Sequence, residues 1–230
     1  MATPIDGDEP RPLRPARPWT RTAMHLSATR ALSPQILAPE RDFLATLHGR
    51  RSGAGEDPGA DFVAALLWHV TQLRERRLDG RFGLWESRTC PSAGGLHHIS
   101  LLIIPLTSAE KPGVYLPDTH AIGFLEVDPE PAMSLNRASV AALANSRSGT
   151  TIQLVADSAI LSACYENWQS LLWRDAGAMI ATLALTATAL GLTAVPLGRE
   201  GSDIVRAFGL SVPFTGVGAV HIGSRRSPTA

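Results

Sequence analysis

Lysine is all but missing from this 230-residue sequence: Lys111 stands alone among 21 basic residues, the others being arginine. An amine base therefore has a single candidate position. Cysteine is nearly as scarce. Cys90 and Cys164 form no CxxC pair, and the first residues carry no apolar secretory core, so a reducing, cytoplasmic setting is expected. Net charge is absent as well. The 21 acidic residues offset the basic ones, leaving no broad positive field of the kind nucleic-acid binding draws on. Charge is also missing from Ala176 to Gly198, a run long enough to span a bilayer. That run is built largely from Ala, Thr and Gly, is interrupted by Gly191 and Pro196, and has poor flanking anchors. It is expected to be a buried helix of a soluble protein, with no membrane partner.

Familiar signatures are missing too. Gly216-Val217-Gly218 opens like a dinucleotide fingerprint but lacks its third glycine and has no room for a crossover helix. There is no P-loop and no GxSxG around Ser92. His97 and His98 are adjacent, so on a strand they point to opposite faces and share no metal. The metal expectation is none.

What is present reads as one domain behind an arm. Residues 1–19 include PRPLRPARPW, with too little to bury against its ordering entropy, and are expected to be a disordered or loosely draped arm. From residue 20 to 230 the chain reads as a single α+β domain without an internal repeat. A helix is predicted from Pro39 to Arg50, followed by a Gly-rich loop to Gly59. A second carries Phe62, Leu66, Val70 and Leu73 at helical spacing, with Arg74, Arg76 and Arg77 at its C-terminal end. Strands are predicted at 98–104, 113–116, 120–127, 150–155, 193–195 and 217–222, the second and third joined as a hairpin by Pro117-Asp118-Thr119. Helices are predicted at 139–144, 168–190 (closed by Gly191) and 203–208.

The segment with chemical promise runs from Arg88 to His97, RTCPSAGGLH, directly before the first strong strand. Gly94 and Gly95 let backbone come close to a planar cofactor, Ser92 and free amides can meet polar ring edges, and Pro91 stiffens the approach. On its own this equally fits a tight turn.

The run PSAGGLHHISLLI resembles the flavin-contacting loop and strand of the nitroreductase-like FMN superfamily, and more narrowly the SagB-type (McbC-like) azoline dehydrogenases of thiazole/oxazole-modified peptide pathways. Three further matches follow in the family's order: Arg50-Arg51-Ser52; Tyr165 with Trp173-Arg174-Asp175-Ala176-Gly177-Ala178; and Gly191-Leu192 with Pro196-Leu197-Gly198-Arg199 and 205–210. Together they cover about Leu44 to Gly223. The resemblance implies a central, mostly antiparallel sheet flanked by helices, and a homodimer with FMN sites at its interface. It implies that Arg50, Arg51 and Ser52 bind the FMN phosphate, since guanidinium forks suit phosphate geometry; a solvated helix end is the plain alternative. Arg88, Pro91, Ser92, Ala93, Gly94 and Gly95 would line the ribityl and ring, and Gly198 and Arg199 would approach the flavin; Arg225 or Arg226 would either add a phosphate contact or belong to a loose tail.

Two departures stand out. The family usually places another Arg two residues after Arg-Arg-Ser, where this chain has Gly53-Ala54. Azoline dehydrogenases usually place Lys immediately before the Tyr, where this chain has Cys164-Tyr165. Tyr165 is then the candidate proton acceptor, with Cys164 either standing in for the lysine or buried and inert. The function implied is FMN-dependent oxidation of thiazoline or oxazoline to the azole on a ribosomally made precursor peptide, with a cyclodehydratase complex as a further partner. The alternatives are another FMN-dependent oxidoreductase and a non-catalytic scaffold of the same fold.

Overall fold

A computed structural model describes residues 9–39, 41–107 and 110–224. In chain order its elements are β1 (Arg11–Pro12), β2 (Leu26–Ala31), α1 (Phe43–Gly49), α2 (Ala60–Thr71), β3 (Leu73–Gly80), β4 (Gly83–Arg88), β5 (Ile99–Pro105), β6 (Gly113–Leu116) and β7 (Ala121–Leu125). There follow α3 (Glu130–Ala144), β8 (Thr150–Asp157), α4 (Ser158–Cys164), β9 (Tyr165–Glu166), α5 (Gln169–Ala189), β10 (Leu192–Leu197), α6 (Ser202–Ala207) and β11 (Phe214–Ser224).

Seven strands form one sheet in the order β10-β11-β8-β5-β6-β7-β2, antiparallel at every pairing. The apolar run of β5 suits a strand covered on both faces, and β8, though it carries Thr150, Thr151 and Gln153, is buried along its whole length. Leu101, Ile103, Ile152 and Leu154 meet Leu66 and Leu67 of α2 and Leu183 and Ala187 of α5 on one face. Leu102, Ile104 and Val155 meet Ala132 of α3 and Ile204, Val205 and Phe208 of α6 on the other. Period-two alternation thus assigns each strand residue to one of two helical layers, and the expected α+β class holds.

Several local expectations are corrected. Leu73 and the arginines after it do not extend α2; they form β3, which pairs with β4. Cross-strand partners override the helical spacing: Arg76 lies opposite Glu86, and Arg77 sits over the Trp85 ring at 5.7 Å. Helix α3 begins at Glu130 rather than 139, started by a Pro in its first turn and ended by Asn145 in the left-handed conformation. Helix α4 was not anticipated, since its seven residues are too few to show periodicity; the Asp157 side chain caps it by accepting from the Ala159 amide. Gly191 closes α5 at φ +76° as expected. From Glu9 on, the N-terminal arm is draped over the domain. Pro12 pairs with Tyr165, Arg17 N donates to the Ala163 carbonyl at 2.9 Å, and the Trp19 indole donates to the Phe82 carbonyl at 3.0 Å. No helix among the described residues is long and apolar enough to cross a membrane.

Candidate functional site

The 91–95 loop is fixed from beneath by α5. Asp175, in the second turn of that helix, accepts the Ser92 hydroxyl at 2.6 Å and the Ala93 amide at 2.9 Å. Ser92 in turn accepts the His97 amide at 3.1 Å, closing the loop on itself. Gly94 and Gly95 both adopt positive φ. A Cβ on Gly94 would stand 2.9 Å from the Tyr165 hydroxyl, and one on Gly95 would stand 2.5 Å from the Trp85 indole. The two glycines therefore let the loop press against the protein's own aromatic residues.

Arg88 is committed inside the chain. It donates to Glu86 at 2.9 Å, to Asp118 at 2.8 Å and to the Thr71 carbonyl at 3.1 Å. Glu86 is buried and also receives Arg76 at 2.8 Å, with Arg21 at 3.4 Å. Burial works to raise the Glu86 carboxyl, but the hydrogen bonds from Arg88 and Arg76 outweigh it and hold the group below its ordinary value. Arg88 thus has little left to offer a flavin.

Tyr165 is half-buried, with its ring edge-on to Phe82 at 5.0 Å. Burial raises its hydroxyl above the ordinary value, against the lowering field of Arg81. Its neighbour Cys164 is 0% exposed, and burial pushes the thiol up to about 11. A thiol so placed stays protonated at neutral pH, which favours the packing role for Cys164.

The remaining candidates lie elsewhere. Ser52 forms a parallel bridge with Ala194 at the β10 edge of the sheet. Arg51 donates to the carbonyls of His48 and Arg50, both at 2.8 Å, and Arg50 reaches the Ser52 hydroxyl at 3.4 Å. Among the described residues neither arginine has a carboxylate partner. Arg225 and Arg226 lie outside the described residues. Gly198 faces open space, and Arg199 donates to Asn136 at 2.6 Å while its Nε has no partner. Burial lowers the Arg199 guanidinium to about 10.

Strand register shows how far apart these groups are. Ala194 aligns through Ile222 and Thr150 with Pro105, at the far end of β5 from Ile99, where the 91–95 loop enters. Six residues of strand separate the rows, about 20 Å at a rise of ~3.3 Å per residue. Leu197, just before Gly198, aligns with Leu102 about midway. One chain therefore brings Arg88, Pro91 to Gly95 and Tyr165 together, and keeps Arg50 to Ser52 at the opposite end.

Asp175, Glu86 and His98 were not singled out as site residues from sequence. Asp175 carried a signal, as the last charge before the long uncharged run; Glu86 and His98 carried none that distinguishes a buried partner from a surface residue.

No protein-family model and no curated protein matches the chain. Solved structures do. A protein assigned as a nitroreductase from Ralstonia eutropha is 19% identical with a TM-score of 0.60, and 98% of each chain is covered. A Desulfovibrio desulfuricans protein assigned as a nitroreductase, in complex with FMN, is 17% identical with a TM-score of 0.52, covering 82% of this chain and 88% of that one. A chain of the Escherichia coli microcin synthetase complex McbBCD, with truncated pro-MccB17 bound, is 13% identical with a TM-score of 0.56, covering 77% of this chain and 66% of that one. The fold is that of the nitroreductases.

Proposed function

We propose that the chain is an FMN-dependent oxidoreductase that works as a homodimer, and that it oxidises azoline rings on a ribosomally made peptide. The observation that carries the flavin reading is the Arg50–Ser52 corner. The part-exposed Arg50 and the exposed Arg51, without a carboxylate partner among the described residues, flank a serine hydroxyl at a sheet edge, a donor set suited to a phosphate. Gly198 lies further along the same β10 edge with open space before it, so a ring could approach the backbone there. The 91–95 loop is too far away to serve that flavin from within the same chain, and a partner chain would bring its own loop to it. Phe43, Leu44 and Leu47 of α1 are 68%, 60% and 46% exposed, and Trp173 of α5 is 45% exposed, giving such a partner an apolar face to cover.

FMN, when bound, would supply a two-electron acceptor for the hydride that leaves the ring. The chain's own task is the accompanying proton. Tyr165 is the best-placed group, close beneath Gly94. With its hydroxyl raised it is a neutral phenol at neutral pH, so it accepts a proton only while passing its own to solvent, which its half-buried side chain meets. Arg81 favours the transient phenolate in that relay. Asp175 holds the loop above Tyr165 through Ser92 and Ala93 and excludes slack from the geometry. Support for a peptide substrate comes from the likeness to a chain of a synthetase solved with a peptide bound. Buried Cys164 in place of the family's lysine favours a second reading, an FMN-dependent oxidoreductase acting on a different substrate.

Purified full-length protein tests these readings together. Its visible spectrum should show FMN at about one per chain, sedimentation should show a dimer, and an azoline-bearing peptide should lose two hydrogens per ring. Colourless protein that ignores added FMN would overturn the enzyme reading and favour the scaffold. Flavin-loaded protein that leaves azolines untouched would move the weight to the second reading.

A further inference from the structure

Beside Pro91 and Ser92 of the loop lies a cavity of about 450 Å³ bounded by α2, α5, β5, β6 and the segment around Thr22. Its walls are mostly apolar, among them Val70, Leu101, Val114, Ile160, Met179 and Phe214. A space of this size, lined in this way with a few polar groups, has the form of a small-molecule site.

The polar groups on its wall constrain what it can hold. Arg88 and Asp118 are paired with each other and with Glu86 and Arg76. Arg21 donates to the carbonyls of Leu96 and His97. Asp157 accepts the amides of Thr22 and Ala159, and Asp175 accepts from Ser92 and Ala93. Tyr115 is bonded to His120 at 2.8 Å. No charge on this wall is left for an ionic ligand, so neither a phosphate nor a carboxylate is matched. Among the described residues lining the cavity, His98 alone has buried side-chain nitrogens without a hydrogen-bond partner. It is 2% exposed. Leaving such a group unsatisfied is unfavourable, a cost that a ligand or a water can recover.

The orientation of His98 adds a sign to the missing bond. Its Nδ1 lies 3.4 Å from the Asp175 carboxylate, too poorly aligned for a hydrogen bond but near enough to favour the tautomer with the proton on Nδ1. Burial drives the imidazole to about 3, so it is neutral at physiological pH. Its Nε2 then carries a lone pair, an acceptor awaiting a donor.

We infer that this cavity is a binding site for a small, neutral, flat and largely apolar molecule bearing one N–H or O–H group, which donates to Nε2 of His98. The inference does not need the flavin or peptide readings to hold: the wall shares Arg88, Pro91 and Ser92 with the loop that would face a partner's flavin, but contains none of Arg50 to Ser52, Gly198 or Arg199. The ligand would lie against the back of the loop through Pro91 and Ser92, where it could stiffen the loop that Asp175 holds.

Indole and indene test it, being alike in shape and differing in the N–H. Full-length protein, with whatever cofactor it retains, is titrated with each by calorimetry, and the His98 imidazole is followed by nitrogen NMR. Indole should bind at one saturable site per chain and shift the Nε2 resonance, and indene should bind about 10-fold or more weakly, the ratio expected for one buried hydrogen bond. His98→Phe should bring the two within about twofold. Met179→Trp, which fills the cavity without touching His98's bond, should abolish binding of both while flavin content stays unchanged. The proposal is overturned if wild-type protein binds neither probe and the Nε2 resonance does not move, the outcome expected of a cavity that holds only water. It is overturned equally if indole keeps its full preference in His98→Phe, or binds Met179→Trp undiminished. Flavin absorbance recorded on the same samples separates a failure here from a failure of the FMN reading.

Discussion

At the end of the sheet where the 91–95 loop enters, buried charges close on partners within the chain: Arg88 on Glu86 and Asp118, Asp175 on Ser92 and Ala93. At the other end, about 20 Å away along the strands, Arg50 and Arg51 find, among the described residues, only carbonyls and one hydroxyl. The difference follows from solvent. A charge out of water must be paired for the chain to fold, whereas an exposed guanidinium can wait for a ligand at little cost. The loop end is therefore built as structure that happens to present a surface, and the arginine end as a vacancy in charge. A site using both needs two chains, each lending one end.

The largest effect should come from the arginine end. Reversing both guanidiniums, Arg50→Glu with Arg51→Glu, removes two charge-assisted bonds of about 1.5–3 kcal/mol each, so FMN affinity should fall by about 10²–10⁴-fold. Stability should change by no more than about 0.5 kcal/mol, as for other exposed positions. Flavin content after gel filtration and a denaturation curve check both halves. A variant that keeps its flavin, or unfolds, would erase the distinction between the ends. The loop end should answer in the opposite sense. Glu86→Gln leaves Arg88, with a side chain only 8% exposed, with the half-exposed Asp118 as its remaining carboxylate, and should cost about 1–3 kcal/mol in chemical denaturation. A cost below about 1 kcal/mol would mean that the arginines disperse to solvent and that the cluster is not a fixed platform.

Tyr165→Phe sharpens the comparison within the loop end, because it deletes a hydroxyl and keeps the ring that packs on Phe82. If the relay is correct, azoline oxidation should slow by about 10²-fold with flavin retained. Rates measured on an azoline peptide decide it, and an unchanged rate removes Tyr165 from the proton path.

How much of this was legible in the sequence depended on whether a residue's partner lay nearby in the chain. Strand β5 was readable because a continuous apolar run of that length fits a doubly covered strand, and β8 because its residues alternate and are β-branched. Helix α5 was readable because Gly191, whose φ of +76° closes the helix, interrupts its uncharged run. The hairpin of β3 and β4 was not, since Leu73 continues the helical spacing of α2 and only the cross-strand partner Glu86 reveals the strand. In the site, residue identities were legible and their spatial grouping was not. Nothing in the order of residues says that Arg50 and Pro91 stand at opposite ends of a sheet, or that Arg88 is already spent on Glu86 and Asp118. Cys164 shows the same limit, its burial being set by the packing of α4 rather than by its neighbours in sequence.

The smallest predicted effect separates the two ends by acid. His98 has an ordinary value of 6.5 and is driven to about 3 by burial, with the charges of His97 and Arg21 acting in the same direction. Burial lowers His97 as well. A histidine whose folded value is depressed is protonated first in the unfolded chain, so its contribution is complete above about 6.5 and is lost as pH falls toward 3. The slope is at most about 1.4 kcal/mol per pH unit for each such group. Asp175, the carboxylate facing His98, acts oppositely: burial raises it, so stability is regained as pH falls through its raised value. Glu86 is held low and adds a loss only below its ordinary 4.5. Between pH 6.5 and 4.5 the net slope therefore weighs the histidines against Asp175, and subtracting a His98→Phe variant isolates one of them. Denaturation midpoints at pH 7, 6 and 5 should fall less steeply in the variant than in wild type, by up to that ~1.4 kcal/mol per unit. Equal slopes would show that His98 is not depressed in the folded protein, and a steeper fall in the variant than in wild type would show that Asp175 holds it as an imidazolium, an ion pair in place of a neutral acceptor.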